Sequence, residues 1–202
     1  MKAAEELQQI RKDLWFWQAY DPAVKTELCS CALKLDAGLV FIDPIRLDAE
    51  SMSVLETAAP PLAVMVTNGN HARAAQEFRE KFSVPILAHA DGVSGLELEV
   101  DQVLEDGAAV FGELAAVSLP GFGPGEIALY SARGRGALFL GDALINAGSH
   151  GLAPLPSKYC ADARVASQSL QKLLQFDFEL MTFAHGLPIV TAAKSRVQQL
   201  LA

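Results

Sequence analysis

The chain has little that is basic. Its 16 Lys and Arg stand against 24 Asp and Glu, and no Lys/Arg-rich run offsets the net charge of −8. Nucleic acid and anionic membranes both need a concentrated cationic patch, so neither is an expected partner. Only three cysteines occur, Cys29, Cys31 and Cys160, which argues against a disulfide framework. No apolar stretch reaches the about 18 residues that a membrane span requires. The opening "MKAAEELQQIRKDL" is charged, without the apolar region of a secretory signal, and the expected compartment is the cytoplasm. Common site motifs are missing too. There is no G-x-x-x-x-G-K-[ST], no G-x-G-x-x-G opening a helix, no C-x-x-C and no H-E-x-x-H, and "GVSGL" lacks the last Gly of a nucleophile elbow.

Apolar residues are plentiful. They make up 51% of the 202-residue chain, against 20% charged, enough for one domain over residues 1–202 with a sizeable core. The opening segment reads as an amphipathic helix. "LWFWQAY" reads as a strand whose Trp15, Phe16 and Trp17 pack rather than bind. "TELCSCALKL", Asp36-Ala37-Gly38 and "LVFIDP" read as a hairpin. Cys29 and Cys31 fall on one side of its first strand, as small buried residues. Asp48 is a plausible cap for the helix "DAESMSVLETAA". "LAVMV" and "VPILA" read as short strands around the helix "HARAAQEFREKF". From about residue 96 short strands follow: "LELEVDQVL", "AAVFG", "LAAVSLP", "EIALYSA" and "ALFLGD". The loop "NAGSHGLAPLPSKY", the helix "ADARVASQSLQKLLQ", the strand "FELMTF" and the helix "TAAKSRVQQLLA" complete the chain. Two sets of strands with helices interleaved suit two sheets packed face to face with helices outside.

Four turns at strand ends remain: "TNGNHAR" at 67–73, "PGFGPGEI" at 120–127, "FLGDAL" at 139–144 and "FAHGLP" at 183–188. In order and spacing these resemble the turns of the metallo-β-lactamase superfamily, which read T-H-x-H-x-D-H, P-G-H-T-P-G-S, Gly-Asp and His-Gly. "LVFIDP" resembles that family's early strand ending in Asp. The resemblance covers nearly the whole chain. It implies an α/β (α+β) fold, a four-layer αββα sandwich, and a pair of metal ions, commonly zinc, bridged by the Gly-Asp carboxylate.

Placed on that pattern, Asn68 and Asn70 occupy the first two histidine positions, Ala72 the aspartate, Arg73 the last histidine of the first turn and Phe122 the histidine of the second. Only Asp142 and His185 keep the ligand type. Three readings follow. The favoured one is a diverged member that has lost the dinuclear zinc centre, holds no cofactor, and binds a small molecule or a protein partner in the remnant cleft. The second is a hydrolase with a mononuclear site, zinc or another divalent metal on His71, Asp142 and His185. It requires His71, which otherwise stands at the helix start facing solvent or the cleft rim, to turn inward. The third is a metal-independent enzyme with His185 as acid/base, while Asp142 and Arg73 hold an anionic substrate.

Arg73 is expected to pair with Asp142 in place of the lost metal charge, with Asn68 and Asn70 adding donors nearby. Asp43 is expected to organise the first turn through hydrogen bonds, and His89 to be an ordinary strand-end residue. The loop 146–158, which contains His150, is expected to form a mobile cleft rim. A homodimer is left open.

Overall fold

The computed structural model describes residues 3–148 and 151–202. β1 (Gln8–Arg11), β2 (Leu14–Asp21), β3 (Thr26–Lys34) and β4 (Leu39–Ile42) pair antiparallel in sequence order. Period-two alternation decides which face each side chain joins. On β3, Cys29, Cys31 and Leu33 enter one apolar cluster, whereas Leu28 and Ala32 enter another. The chain then crosses over through α1 (Ala49–Ala58), capped by Asp48, whose carboxylate accepts from Ser51 N at 2.7 Å. β5 (Pro61–Val66), α2 (Ala75–Phe82), β6 (Ile86–His89) and β7 (Gln102–Leu104) follow, and β4 to β7 run parallel in a seven-stranded sheet.

The second sheet takes β8 (Ala109–Val110), β9 (Leu114–Ser118), β10 (Ile127–Ser131) and β11 (Ala137–Leu140) as an antiparallel meander. β12 (Leu144–Asn146) and β13 (Leu152–Pro154) form a separate small hairpin. α3 (Ala163–Leu170) leads to β14 (Leu180–Thr182), which lies parallel to β11 at the sheet edge, and α4 (Ala193–Leu201) ends the chain.

Three apolar clusters define the layers. Phe16, Cys31, Leu33 and Met65 meet Leu129, Phe139 and Leu180 between the two sheets. Met52, Leu55 and Phe78 of α1 and α2 cover the outer face of the first sheet, against Trp17, Phe41 and Val64. Ala166, Leu170 and Val197 of α3 and α4 cover the outer face of the second, against Leu138 and Leu140. The result is the four-layer αββα sandwich expected from the sequence.

Three local expectations are corrected. The opening segment is not a helix over its second half. Residues 8–11 form β1, with Gln8 opposite Phe16 and Arg11 opposite Leu14. A short amphipathic helix is marginal in water, whereas the edge of β2 offers a row of backbone partners. "LELEVDQVL" supplies strand only at Gln102–Leu104. "NAGSHGLAPLPSKY" carries the β12–β13 hairpin rather than loop throughout, and His150 lies outside the described residues. Among the described residues no helix is long and apolar enough to cross a membrane.

The topology gathers the chemistry at one end. β4 and β5 are parallel neighbours, so Asp43 and Thr67 leave the sheet side by side. β11 and β14 are parallel neighbours, so Asp142 and His185 leave theirs side by side. Parallel strand ends of this kind are where α/β folds open their clefts.

Candidate metal centre

Asp43 follows β4 with φ 46° and is buried. One carboxylate oxygen accepts from Thr67 N at 2.8 Å; the other accepts from Thr67 Oγ1 at 2.5 Å and meets His71 Nδ1 at 2.9 Å. Burial opposes its ionisation. The charge and hydrogen bond of His71, the Arg73 guanidinium and the Thr67 hydroxyl outweigh that, and hold the carboxyl below its usual range. Asp43 thus does what the sequence suggests: it fastens the first turn.

That turn is closed on itself by Asn68. Asn68 Oδ1 accepts from Asn70 N at 2.9 Å, and Asn68 O accepts from His71 N at 2.9 Å. The α2 helix begins only at Ala75, because Arg73 sits in the left-handed region with φ 38°. For a non-glycine residue that conformation costs on the order of 1–3 kcal/mol, which the surrounding bonds must offset. The consequence is that His71 points inward. It is 4% exposed, so the solvent-facing placement is overturned.

His71 lies between two carboxylates, with Nδ1 on Asp43 and Nε2 3.3 Å from Asp142 Oδ1. Burial and Arg73 both disfavour its charge. Asp43 and Asp142 favour it more strongly and push its pKa up to about 9. His185 approaches the same oxygen from β14. Its Nδ1 is 2.9 Å from Glu27 O, and its Nε2 is 3.2 Å from Asp142 Oδ1. The two rings are nearly perpendicular, at 75° with centroids 6.2 Å apart. Burial raises the Asp142 pKa, but the charge of His71 and the two imidazoles beside it prevail and hold it well below the carboxylate range.

The partners on the far side of each ring fix the proton positions. A carboxylate and a carbonyl only accept, so both Nδ1 atoms carry hydrogen, and each neutral ring then presents a bare Nε2 lone pair. With both rings neutral, these Nε2 atoms have no hydrogen to give Asp142 Oδ1 at 3.3 and 3.2 Å, and Oδ1 is buried without a partner. Three electron-rich atoms, all within 4.8 Å of one another, converge on one point. Like partial charges do not gather there without a cation or a proton between them. Two imidazoles and a carboxylate, each ring oriented from behind by a hydrogen bond, match a divalent metal's donor set and its supporting shell.

The other substituted positions go elsewhere. Asn68 is buried, and its Nδ2 donates to Glu126 Oε2 at 2.5 Å. Asn70 is exposed on the cavity wall. Ala72 packs against the α1–α2 core. Phe122 is not a cleft residue: it is buried in the cluster under α3, where the second turn's backbone directs it. Arg73 does not pair with Asp142. Its Nη1 donates to Cys29 O at 2.6 Å and Asp43 O at 3.2 Å, and its Nη2 to Ala184 O at 3.3 Å. Two imidazoles already face Asp142, and neither asparagine donates to it.

One residue escaped the sequence reading. Glu126, the last position of "PGFGPGE", is 3% exposed. Its carboxylate accepts from Asn68 Nδ2 and, at 2.8 Å, from Ala143 N. Burial and the charge of Asp142 push its pKa up to about 8 against the pull of His71 and both hydrogen bonds. It ties the first turn to the turn bearing Asp142. The only signal was a Glu opening an apolar strand directly after glycine. Gly141 gives Glu126 room: a Cβ there would stand 2.7 Å from Thr67 Oγ1 and 2.8 Å from Glu126 Oε1. His89 accepts from Asp91 N and meets Ser118 Oγ at 2.8 Å, a structural role away from the triad. The triad opens into a cavity of about 870 Å³, with Leu155 of the expected rim loop in its wall.

A model of the metallo-beta-lactamase superfamily matches residues 7–202. No curated protein is similar enough in sequence to match. Among solved structures, the DIM-1 metallo-beta-lactamase superposes with a TM-score of 0.76 at 13% identity, covering 97% of this chain and 96% of that one. A metallo-beta-lactamase from Pontibacter korlensis gives 0.74 at 16% identity, covering 97% and 98%. A beta-lactamase domain protein from Burkholderia ambifaria gives 0.71 at 17% identity, covering 99% and 73%.

Proposed function

Since the chain belongs to the metallo-β-lactamase superfamily, we propose that it is a hydrolase working with one divalent metal ion, zinc, held by His71, Asp142 and His185. Three protein ligands of N and O type leave a coordination position open, as a catalytic zinc requires. The observation that carries this reading is Asp142 Oδ1. It is buried and unbonded at the focus of two Nε2 atoms whose rings are held from behind. The substitutions Asn68, Asn70, Ala72 and Phe122 reduce the site to one ion rather than two.

A bound divalent ion supplies Lewis acidity and activates water near neutral pH. The chain's own part is to prepare the site. Asp43 and the Glu27 carbonyl fix the tautomer and angle of the two rings. Glu126 holds the turn that carries Asp142. Asn70, exposed on the cavity wall, offers an amide to a polar substrate group.

The test is metal content. Protein purified without chelator and dialysed against excess zinc is expected to retain about one ion per chain. His71→Ala and His185→Ala are each expected to lose it while keeping their circular dichroism. Wild-type protein that takes up no zinc at neutral pH sinks the reading.

A second reading keeps the cleft without the ion, as a binding site or as proton-transfer chemistry on His185 with Asp142. What favours it is His71, whose own proton, retained up to about pH 9, supplies the positive charge between Asp43 and Asp142. Zinc content then stays at background in wild type and variants alike.

A further inference from the structure

We propose that Arg73 anchors an anionic group, a carboxylate or a phosphate, of the compound bound in the cleft, and that this compound carries an apolar body beside its charge. That the compound is cleaved rests on the hydrolase reading; that it is anionic does not.

Arg73 lines the same cavity as His71, Asp142 and His185. Its guanidinium is held by three backbone carbonyls, those of Cys29, Asp43 and Ala184. Carbonyls fix a cation in place without neutralising it. Among the described residues no carboxylate pairs with it, and the Asp43 carboxylate is already engaged by Thr67 and His71. The remaining cations of the wall are spoken for. Arg46 is bonded through Nε and Nη2 to Glu77, and His71 lies between Asp43 and Asp142.

A guanidinium has five N–H donors. Nη1 makes two of these bonds and Nη2 one, while Nε makes none, so Nε–H and donor capacity on Nη2 remain. Nε and Nη2 share an edge of the fork, the edge that a carboxylate or phosphate meets with two parallel hydrogen bonds. The carbonyls also fix the side chain in advance, so little rotamer freedom is left to lose on binding. The protein as a whole is acidic and repels anions at long range, so an anion that enters the cleft needs a cation fixed inside it.

The wall also holds Asp21, Thr26, Asn70 and Glu77, and beside them it has an apolar part. Val24 and Tyr159 are 59% and 61% exposed at the cavity, and Leu28, Ile145 and Leu155 line it with them. A ligand charged at one end and apolar along its length matches both halves of this surface.

The test is calorimetric titration of the metal-free protein with phenylbutyrate, phenyl phosphate and the neutral phenylbutyramide. Either anion is expected to bind at least about tenfold more tightly than the amide, and the tighter of the two assigns the group as carboxylate or phosphate. Arg73→Gln is expected to abolish the preference. Arg73→Lys keeps the charge but loses the fork, and is expected to weaken the anion by about tenfold. Equal binding of anions and amide overturns the proposal. So does full affinity in Arg73→Lys, which is the deciding variant if Arg73→Gln does not fold. A preference that survives Arg73→Gln and disappears in His71→Ala places the anion on the imidazole and overturns it too. No metal takes part, so this outcome and the zinc content are decided separately.

Discussion

Asp43 decides which nitrogen of His71 carries the proton. Its carboxylate can only accept, so in the neutral ring it draws the hydrogen to Nδ1 and leaves Nε2 as the lone pair towards Asp142. Asp43→Asn reverses this. The new amide donates to Nδ1, the proton moves to Nε2, and the ring presents a hydrogen where a ligand lone pair is needed. Zinc affinity is expected to fall by about 10–100-fold, measured by competition with a chromophoric chelator. Unchanged affinity would show that Asp43 does not orient the ring. The pair Asp142 and His185 was legible in the sequence because the turns that carry them resemble the Gly-Asp and His-Gly turns of the family. The orientation of His71 was not. It depends on Asn68 bonding to Asn70 N and on Arg73 taking a positive φ, neither of which spacing encodes. Glu126 was hidden for another reason: an acid beside a Gly/Pro turn reads as solvated, and only tertiary packing buries it.

At the scale of elements, the second turn shows how backbone path overrides motif position. Phe122 occupies the place of a family histidine, yet its side chain enters the cluster of Leu119, Leu140 and Ala166 rather than the cleft. Phe122→His therefore restores a residue type without restoring a ligand. The variant is expected to bind no second metal and to lose about 3–5 kcal/mol, since it puts a polar ring into a space shaped for phenyl. Metal analysis and denaturant unfolding together check this, and a second equivalent of zinc would refute it. Gly141→Ala tests the opposite face of the same region. Its Cβ would press on Thr67 Oγ1 and Glu126 Oε1, both already bonded, and is expected to cost about 1–3 kcal/mol in unfolding experiments. Full stability in that variant means that the two turns are not packed as tightly as described. The paired sheets and their helices were readable from period-two runs separated by Gly and Pro. The first strand was not, because its polar residues carry a helix pattern, and only the edge of β2 makes them a strand.

For the whole molecule, the buried charges predict how stability follows pH. Asp43 and Asp142 are held below their ordinary range, so their stabilisation is present above that range and is lost as pH falls through their folded values. They set the acid limit. His71 moves the other way, from 6.5 to about 9. Its contribution is complete below 6.5 and disappears as pH rises to about 9. Glu126 moves from 4.5 to about 8. The unfolded chain releases that proton first, so the folded state binds more protons across the interval and stability falls as pH rises. Both groups act in the same direction. The metal-free protein is expected to lose on the order of a few kcal/mol between about pH 5 and about pH 9, measured by urea unfolding across that range. Zinc changes the sign of the problem at His71, because the ion takes the position of the proton and needs the neutral ring. The rise in melting temperature on adding zinc is therefore expected to grow with pH over the same interval. A metal-free stability that climbs towards pH 9 would refute the burial of charge assigned to His71 and Glu126. A zinc effect independent of pH would place the ion away from His71, where no proton has to leave for it to bind.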